Sequence, residues 1–85
     1  MPTDHYAFRA LSFEQQLPVL YAEGHFLANR YEEEDAVNLY QMPGGFFVEL
    51  YYDQAENRVV RLRTFTSPRL LEDYAPYVKL PDLGL

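Results

Sequence analysis

The stretch FFVELYYDQAENRVVRLRTF, from Phe46 to Phe65, constrains the fold more than any other part of this chain. Two runs rich in β-branched and aromatic residues, 46–53 and 58–65, lie on either side of a polar segment with several turn-forming residues. Such a pattern is typical of two antiparallel strands joined by a turn. We therefore expect a β-hairpin here, within a fold that contains an antiparallel sheet.

The segments before the hairpin predict two more strands. These strands lie at 25–31 and 36–42, and the run Pro43-Gly44-Gly45 predicts a tight reversal before the third strand. Short connections between neighbouring strands favour an antiparallel meander. With one helix on either side of the meander in the sequence, the predicted fold class is α+β, in the two-layer order α-β-β-β-β-α.

A first helix is predicted over 13–23. Ser12 and Gln15 fit a capping box, and apolar residues recur at helical spacing after them. Pro18 is expected to distort this helix, because proline removes one backbone hydrogen bond. Gly24 is expected to end it in a left-handed conformation.

A second helix is predicted to begin after Ser67, with Ser67 as its N-cap and a proline in its first turn, and to end near residue 75. The whole chain, 1–85, is expected to be one domain, since 85 residues are too few for two cores. An irregular N-terminal arm is expected at 1–11 and a C-terminal tail at 77–85.

Strand alternation predicts which residues oppose each other between the second and third strands. A two- or four-residue loop at Pro43 pairs Val37 with Leu50 and Leu39 with Val48. The same loop sets Asn38 against Glu49 and Tyr40 against Phe47.

Two registers are acceptable between the third and fourth strands, with a loop of three or five residues. Both match apolar with apolar and acid with base: Leu50 with Val60 or Leu62, and Glu49 with Arg61 or Arg63. A four-residue loop would set Leu50 against Arg61 and is rejected for that reason.

These pairings divide the sheet into a core face and an opposite face. The predicted core face, to be covered by the helix residues Leu17, Leu20, Leu70, Leu71 and Tyr74, consists of Val37, Leu39, Phe46, Val48, Leu50, Tyr52, Val60 and Leu62. The opposite face combines charges with large aromatic side chains, which are unexpected on a solvated surface. Either these aromatics pack across strands or are covered by the N-terminal arm and C-terminal tail, or they form a contact surface. Its candidate interaction residues are Tyr40, Phe47, Tyr51, Arg61, Arg63 and Phe65. The faces of the first strand stay unassigned, because apolar residues occur at both its odd-numbered and its even-numbered positions.

The composition excludes several classes of function. The chain has no cysteine, which excludes disulfides, cysteine nucleophiles and thiolate metal sites. Its net charge of −6 repels phosphate backbones, so nucleic acid is disfavoured as a partner. No apolar run reaches the ~18–20 residues of a membrane span, and the N-terminus lacks the pattern of a signal peptide. We expect a cytoplasmic protein.

No motif predicts catalysis, a cofactor or a metal. His5 and His25 have no metal-type spacing, Ser12 and Ser67 are explained as helix caps, and Gly44-Gly45 lies outside any phosphate-loop pattern. The acidic run 32–35 is interpreted as a solvated turn, with a basic partner as the functional alternative. We therefore expect no enzyme and no cofactor.

Several segments together resemble a bacterial protein group. These segments are EGHFLANRY at 23–31, VNLY at 37–40, FFVELY at 46–51, RLRTF at 61–65 and LLEDY at 70–74. They are similar to small proteins of Bacteroidetes-type bacteria, over roughly residues 12–80. That group has no assigned activity, so the resemblance implies a bacterial cytoplasmic protein and supplies no catalytic residue.

Three functional hypotheses follow from the sequence. The first is a non-enzymatic protein-interaction domain that uses the aromatic and arginine face, with a homodimer as one form. The second is an acidic inhibitor or immunity-type protein that binds a basic partner through Glu32 to Asp35. The third is a small ligand-binding protein or enzyme with a shallow aromatic site.

Overall fold

Four antiparallel strands in chain order form the sheet of this protein, as the computed structural model shows for the described residues 2–67. The elements are α1 (His5–Ala10), α2 (Phe13–Glu23), β1 (His25–Glu32), β2 (Asp35–Met42), β3 (Phe46–Asp53) and β4 (Arg58–Phe65). The α+β class and the antiparallel meander are confirmed. The predicted C-terminal helix with Leu70, Leu71 and Tyr74, and the tail at 77–85, lie outside the described residues.

Helix α2 has the predicted bounds and the predicted capping box. The Ser12 hydroxyl accepts from the Gln15 amide at 3.2 Å, and the Gln15 side chain accepts from the Ser12 amide at 3.1 Å. Pro18 lies inside the helix. The left-handed conformation predicted for Gly24 is wrong, because its φ is −72° and its ψ is 143°. Glycine is needed there for space, since a Cβ atom would lie 2.6 Å from the Leu20 carbonyl oxygen.

The N-terminal arm is more regular than predicted, because it contains α1. Asp4 caps this helix by accepting from the Ala7 amide at 2.7 Å. Phe8 is completely buried in the core. The arm is also held by Glu23, whose carboxylate accepts from the amide and the hydroxyl of Thr3, both at 2.9 Å. These two hydrogen bonds lower the pKa of Glu23.

The predicted register between β2 and β3 is wrong by one residue. Met42 pairs with Phe46, so the loop has three residues, and Gly45 takes a φ of +91°. A three-residue hairpin loop ends with a residue in this region, which glycine adopts without steric cost. The observed pairs are therefore Val37 with Tyr51, Asn38 with Leu50, Leu39 with Glu49 and Tyr40 with Val48.

The register between β3 and β4 is one of the two that were accepted, with Leu50 opposite Leu62 and Glu49 opposite Arg63. The loop length is a surprise, since four residues separate the paired Asp53 and Arg58. A shift in the ladder around Val60 supplies the extra residue that restores the parity. The rejected loop length is thus compatible with the accepted pairing.

The two faces of the sheet are now defined by what packs on them. We call the side that packs against α1 and α2 the helix face; its buried core is Phe8, Leu20, Met42, Phe46, Val48 and Leu50. The other side is the reverse face. Val37 and Leu39 were predicted on the core face but lie on the reverse face, because the β2–β3 register differs. Val60 is exposed, and Val59 packs against the helix-face core instead.

A bulge in β1 explains why its faces were ambiguous. The ladder with β2 shifts between Phe26 and Ala28, so the alternation of faces along β1 is interrupted at Leu27. Ala28 and Arg30 lie on the reverse face, opposite Leu39 and Val37. Phe26, Asn29 and Tyr31 lie on the helix face of this edge strand.

Candidate functional site

The structure brings five of the six predicted interaction residues together on the reverse face. Cross-strand pairing sets Phe47 against Phe65 and Tyr51 against Arg61, with Arg63 between them along β4. Tyr40 does not belong to this group, because its partner Val48 lies on the helix face.

The aromatic rings of this group are buried. Tyr51 is only 1% exposed, and Phe47 and Phe65 stack at 5.3 Å within a buried cluster that also contains Ala28 and Leu39. These rings therefore serve as core residues of the reverse face, which explains aromatics on a face that was expected to be solvated. Large exposed rings, which would indicate a contact surface, are found elsewhere.

The arginines of the group are exposed but lie over the rings. The Arg61 guanidinium carbon is 3.9 Å from the centroid of the Tyr51 ring, and that of Arg63 is 5.9 Å from the Phe65 ring. Such cation–π contacts are worth about 0.5–1 kcal/mol at exposed sites. The chain thus already pairs arginine with aromatic faces.

A buried ionic cluster occupies the centre of the reverse face. Glu49 is 2% exposed and accepts from Arg30 at 3.1 Å, while its other oxygen lies 3.3 Å from Arg63. Arg30 also donates to Glu32 at 2.8 Å, and this bond lowers the pKa of Glu32. Arg30 further approaches the Tyr51 hydroxyl at 3.4 Å. The carboxylate of Glu49 is therefore a structural ion-pair partner.

The described residues also include a histidine that packs on the helix face and an open depression. The ring of His5 stacks on Phe46 at 5.0 Å, with its Nε2 2.8 Å from the Thr64 hydroxyl. An open depression of about 310 Å³ is lined by Glu23, His25, Gln41, Met42, Pro43 and Gly45. Its carboxylate already accepts two hydrogen bonds from Thr3. Within residues 2–67, no group of three histidine or acidic side chains is placed to hold a metal.

A second group of aromatics is exposed on the helix face and was not predicted. We call it the aromatic patch, formed by Tyr21, Phe26, Tyr31 and Tyr40. Tyr21, Phe26 and Tyr31 are 61%, 53% and 56% exposed, and Tyr40 is half-buried. The rings of Phe26 and Tyr40 meet edge to face at 5.8 Å. Burial raises the pKa of Tyr40, and the charge of Tyr21 raises it further.

The position of β1 explains why the patch is exposed. The described core beneath the helices draws its strand residues from β2, β3 and β4, and none from β1. The described core thus leaves out the helix face of β1, where Phe26 and Tyr31 are exposed. The β2–β3 register and the β1 bulge assign these residues to one face, and neither was predicted. A prediction of a three-residue loop at Pro43 would have placed Tyr40 on the helix face.

Acidic residues border the aromatic patch at one end. Glu32 opposes Asp35, and Asp35 opposes Asp53, so three carboxylates form a row that strand alternation places on the reverse face and that meets Arg58 on β4. The two-residue loop between β1 and β2, Glu33 and Glu34, directly follows Tyr31 and its neighbour. Like charges in direct opposition repel each other, and positive charge is already present beside this row, since Arg30 pairs with Glu32 at 2.8 Å and Arg58 opposes Asp53.

Comparisons with protein-family models, curated proteins and solved structures each found no match to the chain. The resemblance to small bacterial proteins therefore stays a prediction. Among the described helices, neither is long and apolar enough to cross a membrane. The function is inferred from the geometry of the aromatic patch and its surroundings.

Proposed function

We propose that this chain is a non-enzymatic protein-interaction domain that contacts its partner through the aromatic patch. The exposure of Phe26, whose ring meets that of the half-buried Tyr40 on the helix face, together with the exposure of Tyr21 and Tyr31, is the observation that carries this proposal. Tyrosine is enriched in interface hot spots, and contiguous exposed apolar surface is typical of interaction sites. The proposal keeps the predicted class of function and moves the contact surface from the reverse face to the helix face.

The sheet edges favour contact through side chains over strand addition. Both outer strands of the described sheet carry a ladder irregularity, at Leu27 in β1 and around Val60 in β4. Bulges and charged residues on edge strands hinder pairing with another strand. A partner is therefore expected to lie on the aromatic rings of β1 and not to extend the sheet.

A role without catalysis is proposed because the carboxylates of the buried Glu49 and the partly buried Glu23 have structural partners. Glu49 is engaged by Arg30 and Arg63, and Glu23 by Thr3. A general base must reach a substrate proton from a pocket, and these carboxylates are used in packing the fold. A second copy of the chain is one form of the proposed partner, as the homodimer hypothesis states.

Photo-cross-linking from single positions tests this proposal. Benzoylphenylalanine replaces Phe26 or Tyr31 in separate full-length chains that are expressed in the native host. Tyr6, which is 84% exposed on α1, is the matched control position. One discrete product from Phe26 and Tyr31, absent from Tyr6, is expected; a product of twice the chain mass identifies the homodimer. Equal labelling from all three positions, or none, contradicts the proposal.

The row of carboxylates favours a second candidate, an acidic inhibitor or immunity-type protein. Glu32, Asp35 and Asp53 place negative charge on three neighbouring strands at one end of the sheet. In this case the cross-linked partner is a basic protein, and Glu32→Lys, Glu33→Lys and Glu34→Lys together abolish its capture. Capture that survives this charge reversal removes the second candidate and leaves the first intact.

A further inference from the structure

We propose that the aromatic patch binds a positively charged, partly apolar segment of another protein. This inference rests on the proposed interaction function and specifies the chemistry of the partner. It is carried by the exposed aromatic faces and by the exposed acidic turn residues Glu33 and Glu34 close after Tyr31, in a region where the described strands place no exposed arginine.

The chemistry of the patch selects cations with apolar neighbours. Its four side chains are all aromatic, and the faces of aromatic rings attract ammonium and guanidinium groups. The reverse face shows that such pairing occurs in this fold, since Arg61 lies 3.9 Å over Tyr51. Rings that are more than half exposed also gain free energy when apolar groups cover them. A segment that carries both kinds of side chain satisfies both properties.

The charges around the patch have one sign on the described strands that form it. The exposed turn residues Glu33 and Glu34 follow close after Tyr31, whereas Glu32 already pairs with Arg30 and the carboxylate of Glu23 already binds Thr3. Arg30, the one basic residue of β1, lies on the reverse face and pairs with Glu49. The arginines of β4 are three strands away from β1, roughly 14 Å at the usual strand spacing. An approaching basic segment therefore meets attraction at this end of the molecule.

A second copy is a poorer occupant of the same surface. In a two-fold symmetric dimer the same patch meets itself, so two surfaces with the same sign of charge face each other. With a net charge of −6, each copy adds to this repulsion. A heterologous basic segment avoids both effects.

The length of the patch fits a short segment. Phe26 and Tyr31 are five residues apart on a strand with one bulge, which spans roughly 13–16 Å at the usual rise per residue. An extended segment of about five residues covers this distance. Alternate side chains of such a segment point to the same side, and can place two or three groups on the rings.

An NMR titration with defined peptides tests the inference. The probe is the decapeptide Gly-Ser-Lys-Leu-Lys-Leu-Lys-Leu-Gly-Ser, added to the full-length chain labelled with ¹⁵N. One matched peptide carries Glu in place of each Lys, and another carries Ser in place of each Leu. The probe is expected to shift the amide resonances of Tyr21, Phe26, Tyr31 and Tyr40. The Glu peptide should cause no shifts. The Ser peptide should bind at least about tenfold more weakly than the probe.

Variants of the chain separate a specific site from general attraction to an acidic protein. Phe26→Ser with Tyr31→Ser is expected to weaken probe binding about tenfold or more, whereas the control Tyr6→Ser leaves it unchanged. Glu33→Gln with Glu34→Gln should weaken binding and reduce its salt dependence. The control Glu14→Gln with Glu56→Gln removes the same charge at exposed sites on α2 and the β3–β4 turn, and should have a smaller effect.

The outcomes distinguish this inference from the proposed function. Shifts confined to other surfaces, or equal binding of the Lys and Glu peptides, overturn the inference. The inference is also overturned if the partner that cross-links from position 26 is captured equally well when the chain carries Glu33→Gln and Glu34→Gln. The proposed function stands in that case. If no partner cross-links at the patch, the proposed function fails, whatever the peptides do.

Discussion

Glu49 and Arg63 oppose each other across β3 and β4, and the Arg63 Nε atom lies 3.3 Å from a carboxylate oxygen of Glu49. The two partners differ in environment, since Glu49 is 2% exposed while the side chain of Arg63 is 43% exposed. Arg30 approaches the other carboxylate oxygen from β1, so Glu49 links strands on both sides of the sheet centre. Replacing Glu49 should therefore lower the free energy of unfolding by a different amount from replacing Arg63.

Replacing Glu49 is expected to destabilise the fold strongly. Glu49→Gln leaves the mostly buried guanidinium of Arg30 without this carboxylate, and breaking a buried pair costs about 3–5 kcal/mol. The lower end of this range applies to Glu49→Gln, because Glu32 still pairs with Arg30. Arg63→Gln is the matched control and should cost about 0–1 kcal/mol, since its side chain is partly in solvent. Urea unfolding measures both; a larger loss for Arg63→Gln contradicts this assignment.

Gly44→Ala is expected to displace the N-terminal arm. A Cβ atom at position 44 would lie 2.2 Å from the Thr3 carbonyl oxygen, so the arm must move and its bonds to Glu23 weaken. Hydrogen exchange at the Thr3 amide, which donates to Glu23, should speed up clearly.

Gly45→Ala is the control for this variant. Gly45 has open space around its Cβ position, but its φ of +91° makes alanine strained by about 1–2 kcal/mol. It should lower the free energy of unfolding without a selective effect on the arm. Equal protection of Thr3 in the wild type and in Gly44→Ala would show that the arm does not depend on this contact.

Sequence patterns predicted the strands and α2 closely, because these signals are local. Alternation within 46–53 and 58–65, and the cap at Ser12, depend on neighbouring residues only. Helix α1 was not predicted, since six residues with Phe8 as their one buried side chain show no apolar period. The Asp4 cap was the available signal.

The faces were harder to predict, because one residue in a loop reverses the parity of a strand. Pro43-Gly44-Gly45 is compatible with loops of two, three or four residues, and the arm that packs on Gly44 is distant in sequence. The bulges at Leu27 and Val60 likewise arise in tertiary structure. Tyr40 was assigned to the wrong face for this reason, and the aromatic patch was missed.

Glu33→Gly is expected to stabilise the protein. Glu33 has a φ of +56°, which is unfavourable for a residue with a Cβ atom, and relief of this strain is worth about 0.5–1 kcal/mol after the entropy of glycine is subtracted. The neighbouring Glu34 is not in this region, so Glu34→Gly removes the same charge without relieving strain. Thermal unfolding should show a higher midpoint for Glu33→Gly than for Glu34→Gly. The reverse order would contradict strain at Glu33.

The attachment of the N-terminal arm is expected to depend on pH through Glu23. Hydrogen bonds from the Thr3 amide and hydroxyl lower the pKa of this carboxyl below its ordinary value of 4.5. Because the folded pKa is depressed, the stabilisation is present above about pH 4.5 and is lost as the pH falls through the lower folded value. The Thr3 amide resonance should therefore titrate with a midpoint below 4.5, and Glu23→Gln should remove this titration. A midpoint at or above 4.5 in the wild type would mean that the Thr3 bonds do not favour the charged carboxylate, and the arm would then be held by Phe8 and the contact with Gly44.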